Sequence, residues 1–82
     1  MKRDMDLVRN ILLEIESKDN GTGQSINLDL TEVDQKTLQA HLLLMFKSGF
    51  IEGKDGSSLP SRKFFPQRLT WAGHDFLDSV RS

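Results

Sequence analysis

Residues 26–30, Ile26-Asn27-Leu28-Asp29-Leu30, alternate apolar and polar side chains with a period of two. That spacing puts three aliphatic residues on one side of an extended chain and two polar ones on the other, the pattern of a half-buried strand. The reading of this stretch decides the fold, because it lies between two helical patterns and far along the chain from a second pair of strands. A strand here pairs with that distant hairpin and closes a three-stranded sheet.

Upstream, Val8, Ile11, Leu12 and Ile15 recur at i, i+3, i+4 and i+7, with Met5 one turn earlier. This is the stripe of an amphipathic helix. Asp4 is placed to cap it, Glu14 and Lys18 form an i, i+4 pair near its end, and Asn20 with Gly21 stops it. Residues 18–24 read as a polar loop. Downstream, Thr31 followed three residues later by Asp34 is close to a capping box, and Asp34 can itself cap a helix beginning at Gln35, so the start is open by one turn. Leu38, Leu42 and Met45 mark its buried face, and Lys47, Ser48 and Gly49 supply a basic last turn and a stop.

Phe50, Ile51 and Glu52 then begin a strand, residues 53–58 read as a loop rich in glycine and serine, and residues 63–69 return as its partner. Pro66 has no amide proton, so it belongs at an edge or a bulge. Thr70 is placed to cap a final helix carrying Trp71, Phe76, Leu77 and Val80, with Gly73 as either a weak spot or a point of close packing. Trp71 is expected to anchor the core. The expected core is Val8, Ile11, Leu12, Ile15, Ile26, Leu28, Leu38, Leu42, Met45, Ile51, Leu69, Trp71, Phe76 and Leu77. The order α-β-α-β-β-α, with about three helices and a small antiparallel three-stranded sheet, predicts an α+β, winged-helix-like fold over a single domain, residues 1–82.

Composition agrees with one small globular unit: 82 residues, 37% hydrophobic and 28% charged, hold one core and not two. The chain has no cysteine, which fits a reducing compartment, and acidic residues break any long apolar run at the start, so a cytoplasmic protein without a membrane segment is expected. Charge is uneven. Residues 1–34 carry four Lys or Arg against eight Asp or Glu, and residues 35–82 carry seven against four, within a net charge of −1. A nonspecific DNA coater would be basic throughout, whereas a basic second half either marks a DNA-facing side or arises by chance.

The phrase Arg68-Leu69-Thr70-Trp71-Ala72-Gly73-His74-Asp75-Phe76-Leu77 resembles the strand-to-helix junction of winged-helix proteins. His41-Leu42-Leu43-Leu44 running into Gly49-Phe50-Ile51 is similar to their recognition helix and first wing strand. Together with the opening Met1-Lys2-Arg3-Asp4-Met5-Asp6-Leu7-Val8-Arg9, these phrases resemble an uncharacterised family of small phage and bacterial proteins. The resemblance implies a fold and no activity. The chain departs from a full winged helix between Leu30 and Gly49, where there is room for one helix and not for a supporting and a recognition helix.

Two groups of side chains are candidates for nucleic-acid contact. Gln35, Lys36, Gln39 and Lys47 lie on the polar face of the second helix, where they either meet bases and phosphates or simply solvate that face. Lys54, Arg62, Lys63 and Arg68 make the hairpin basic, either to approach phosphates or to keep an edge strand soluble. Phe64 and Phe65 are adjacent, so one points inward and the other outward. His41 and His74 have no spacing that builds a metal set, and no nucleophile elbow or phosphate loop is present, so neither a cofactor nor an enzyme is expected. The leading expectation is a DNA-associated regulatory module. The alternative is a module that docks on a host or phage protein without binding nucleic acid, with a homodimer as a variant. The final helix runs out at Arg81 and Ser82, which also fits the amino-terminal part of a longer protein.

Overall fold

The computed structural model describes residues 2–30, 32–56 and 63–81. Among the described residues, three helices and one two-stranded antiparallel sheet follow in the order α1 (Met5–Lys18), α2 (Gln35–Lys47), β1 (Ile51–Gly56), β2 (Lys63–Leu69) and α3 (Trp71–Val80). α1 and α3 begin at the expected caps, and α2 takes the Asp34 start of the two that its sequence allows. The Asp4 carboxylate accepts from Leu7 N, the Asp34 carboxylate from Thr37 N and the Thr70 hydroxyl from Gly73 N, each satisfying an amide that the first turn leaves unpaired. α2 ends in a Schellman arrangement, in which Phe50 N donates to Met45 O and Gly49 N donates to Phe46 O.

Leu7, Val8, Ile11, Leu12 and Ile15 of α1 meet Leu38, Leu42 and Met45 of α2, with Ile51, Phe64 and Leu69 from the hairpin and Leu77 from α3, in one buried cluster. Burial of that apolar surface is the main stabilising term in a domain of this size. The Phe46 and Phe64 rings lie 4.8 Å apart and lock α2 onto the inner face of the hairpin. His41 is buried in the same core. Its Nε2 accepts from Asp4 N at 3.0 Å and its Nδ1 lies 2.8 Å from Thr37 O. An amide N–H can only donate and a carbonyl can only accept, so the ring is neutral with its proton on Nδ1. His41 thereby ties the entry of α1 to α2.

The expected third strand at residues 26–30 does not form. Ile26, Leu28 and Leu30 are half-buried while Asn27 and Asp29 are exposed, so the alternation reported burial correctly. The backbone, however, makes one bond to the sheet, from Ile26 N to Pro66 O at 2.7 Å. A residue in a strand presents its N–H and C=O to the same side, and on this side of β2 Pro66 has no N–H to give. Two residues back, Phe64 N already donates to the Gln39 side chain at 2.8 Å. The edge is therefore occupied by a proline and by a helix side chain, and the sheet stops at two strands.

Two further expectations are corrected. The loop expected at residues 53–58 is strand as far as Gly56, and Ser57 and Ser58 lie outside the described residues. The register slips by one between Glu52, opposite Arg68, and Gly53, opposite Pro66, leaving Gln67 as a bulge. At Gly53 a Cβ would strike the Phe65 carbonyl and the Phe64 ring, so this glycine is required by close approach and not by a turn. Trp71 is not a core anchor, since it is 87% exposed. α3 buries Gly73 and Leu77, and Trp71 falls two residues before Gly73, about 200° round the helix. Gly73 sits so close that a Cβ would collide with the Phe50 carbonyl. It is a point of close packing.

Candidate nucleic-acid interface

The register of the hairpin fixes which side chains share its outer face. Lys54 lies opposite Phe65, and Lys63 stands two residues before Phe65 on the same strand. Opposed residues and residues two apart project to the same side, so Lys54, Phe65 and Lys63 form a single patch. The inward partner of the aromatic pair is Phe64, which is buried, while Phe65 is half-buried. Both lysines are exposed.

Ion pairing separates the cations of this molecule into two classes. Arg9 pairs with Asp6 at 3.9 Å, Lys18 with Glu14 at 2.8 Å, Arg68 with Glu52 at 3.0 Å, and Arg81 with Glu16 at 2.9 Å and Asp78 at 2.7 Å. Among the described residues, Lys36, Lys47, Lys54 and Lys63 make no such pair. The unpaired lysines of the second half therefore sit on α2 and the hairpin. Hydrated lysines without local counter-charges are the groups that release counterions when they meet phosphates.

A cleft of about 270 Å³ runs between the first half of α2, residues 26–28 and β2, with Gln35, Gln39 and Lys63 on its walls. Three of the candidate residues thus converge. Gln39, on the cleft wall, already uses its side-chain oxygen on Phe64 N, which leaves its amide N–H groups as the donors it can still offer. Lys36 and Lys47 stand near opposite ends of α2, about 16 Å apart along the axis at helical rise, and line no part of the cleft. Arg68 is engaged with Glu52, and its guanidinium lies against the backbone of Gly23. It is held as a structural clasp. Arg62 lies outside the described residues.

Sequence reading missed a second, apolar cleft. Arg3, Met5, Val8, Leu44, Met45, Ser48, Phe50 and Phe76 enclose about 210 Å³, with Met5 41% and Leu44 39% exposed. Phe50 and Phe76 stack beneath it with ring centroids 4.8 Å apart. Met5 and Leu44 were legible as apolar residues on helical segments, but nothing in their spacing shows that they line one cleft with Phe50 and Phe76. The histidines are far apart in role: His41 is in the core, and His74 lies 4.0 Å from Glu16 on the exposed side of α3. Among the described residues no three His, Cys, Asp or Glu side chains cluster as metal ligands, and no helix is long and apolar enough to cross a membrane.

Comparison with known proteins adds kinship. A family described as hypothetical protein (DUF2513) matches residues 2–82. A protein of Haemophilus influenzae described as uncharacterized is 39% identical over 82 residues, a span that covers all of this chain and 70% of the relative. No solved structure matches the chain.

Proposed function

The chain belongs to the DUF2513 family of small hypothetical proteins, and for this member we propose a non-catalytic, DNA-associated module of winged-helix type that acts in the cytoplasm. The observation that carries this reading is the outer face of the hairpin, where Lys54 and Lys63 flank Phe65 without a carboxylate partner among the described residues. Measured against a winged helix, residues 26–30 contribute the single bond between Ile26 and Pro66 in place of a strand, and no further helix lies between α1 and α2 among the described residues. Such a domain lays its wing along the phosphate backbone and uses Gln35, Lys36 and Gln39 to set its position, without driving a helix deep into a groove. Binding of this kind is weak in sequence preference and steep in salt.

Fluorescence anisotropy of a short labelled duplex, repeated across salt concentrations, tests this. The wild-type chain binds at low salt, and the double substitution Lys54→Ala, Lys63→Ala lowers the slope of log K against log salt by about 2, one phosphate for each lysine. Absence of binding at low salt, or an unchanged slope in the double variant, contradicts the proposal.

A second reading is favoured by the apolar cleft of Met5, Leu44, Phe50 and Phe76. Exposed apolar surface of this kind suits a protein partner, including a second copy of the chain. Sedimentation at high concentration separates the variants: a 9.3 kDa species throughout removes the homodimer.

A further inference from the structure

The turn that follows α1 reads Asp19-Asn20-Gly21-Thr22 and is exposed along its length. Its side chains turn back onto its own backbone. Asn20 Oδ1 accepts two hydrogen bonds, from Thr22 N at 3.1 Å and from Thr22 Oγ1 at 2.7 Å. A backbone N–H can only donate, so the accepting atom is the carboxamide oxygen, and its nitrogen, Nδ2, is the group turned away. The next backbone nitrogen, Gly21 N, donates its proton to Asp19 Oδ1 at 2.9 Å. Gly21 has φ +81° and, as a glycine, carries no side chain of its own beside that nitrogen.

We infer that this turn is a self-modifying site, at which Asn20 deamidates through a cyclic imide with Thr22 and Asp19 assisting. Gly21 N attacks Asn20 Cγ and forms a new N–Cγ bond while its proton passes to the Asp19 carboxylate. The charge that develops on Oδ1 falls between the two Thr22 donors, the arrangement that stabilises an oxyanion. The Cγ–Nδ2 bond then breaks, and the proton held by Asp19 leaves with Nδ2 as ammonia. Water opens the resulting imide at either carbonyl, giving an aspartyl or an isoaspartyl residue at position 20. No oxidant, metal or second protein is required. The product carries one more negative charge in the already acidic half of the chain, in the loop where Gly23 leaves room for the Arg68 guanidinium.

The sequence holds three asparagines, Asn10, Asn20 and Asn27, which gives an internal control. The folded chain is incubated at mildly alkaline pH, and each asparagine is followed by peptide mass mapping and by enzymatic methylation of isoaspartate. Asn20 converts ahead of Asn10 and Asn27, and faster in the folded chain than in the same chain unfolded in urea. Thr22→Val slows conversion by about tenfold, less than the loss from a water-excluded oxyanion site because this turn is solvated. Thr22→Ser, which keeps the hydroxyl, restores the rate. Both substitutions fall in an exposed loop, and helical circular dichroism verifies that each variant is folded. Slower conversion in the folded chain than in urea, or an equal rate for Thr22→Val, overturns the inference.

Discussion

Two stretches of this molecule that share an alternating apolar pattern meet the sheet with different results. β2 makes a full antiparallel ladder with β1, interrupted by one bulge, and buries Phe64, Pro66 and Leu69. Residues 26–30 turn Ile26, Leu28 and Leu30 inward to half-burial, yet they hold the sheet by a single backbone bond. Alternating side chains are a statement about which face is dry. A strand also needs a neighbour with free N–H and C=O groups, and here the neighbour has a proline at one position and a glutamine cap at the next.

Several substitutions sharpen or break this contrast. The largest effect belongs to the ladder side: Phe64→Ala empties a buried ring site beside Phe46 and costs about 3 to 5 kcal/mol in a denaturant titration. Leu28→Ala, on the half-buried side, costs less than about 1.5 kcal/mol in the same titration. Equal losses would mean that residues 26–30 are integral to the core. Gln39→Ala leaves Phe64 N without its partner in a partly buried setting and costs about 1 to 3 kcal/mol. Its particular sign is loss of hydrogen-exchange protection at the Phe64 amide.

In the wild-type chain the Ile26 amide is protected from exchange, and the amides of residues 27–30 exchange rapidly. Protection across all of residues 26–30 would restore the third strand. The smallest effect is electrostatic. Arg81 donates to both Glu16 oxygens, and this hydrogen bond, aided by its charge, holds the Glu16 carboxyl below its ordinary range. A carboxyl depressed by folding stabilises above its unfolded titration range, and that contribution disappears as pH falls through its folded value. Arg81→Ala therefore lowers Tm slightly at neutral pH and not at all in strong acid, the modest result expected of an exposed pair.

Much of the fold could be read from the chain because helix capping and stripe spacing are local. Asp4, Asp34 and Thr70 cap as their positions imply, and Ile11, Leu12, Ile15, Leu38, Leu42 and Leu77 are buried as their periodicity requires. What escaped reading depends on contacts between distant residues. Trp71 looked like an anchor by size alone, whereas the close approach of Gly73 to the Phe50 carbonyl decides which side of α3 faces in. Leu7 and Phe64 joined the core, and His41 entered it by exchanging two hydrogen bonds with Asp4 and Thr37. The candidate interface was legible as a set of cations and amides. Which of them share a surface was not, since Arg68 is bound to Glu52, Gln39 supports Phe64, and only pairing across the hairpin brings Lys54 beside Phe65 and Lys63.

The most direct measurement of the central claim is an NMR titration of the isotopically labelled chain with a mixed-sequence DNA duplex, at low and then moderate salt. The account predicts amide shifts at Lys54, Lys63 and Phe65 and in the first half of α2, reversed by salt, with the α1 amides unmoved. Silence at low salt, or shifts confined to Met5, Leu44, Phe50 and Phe76, would contradict it and assign the working surface to a protein partner.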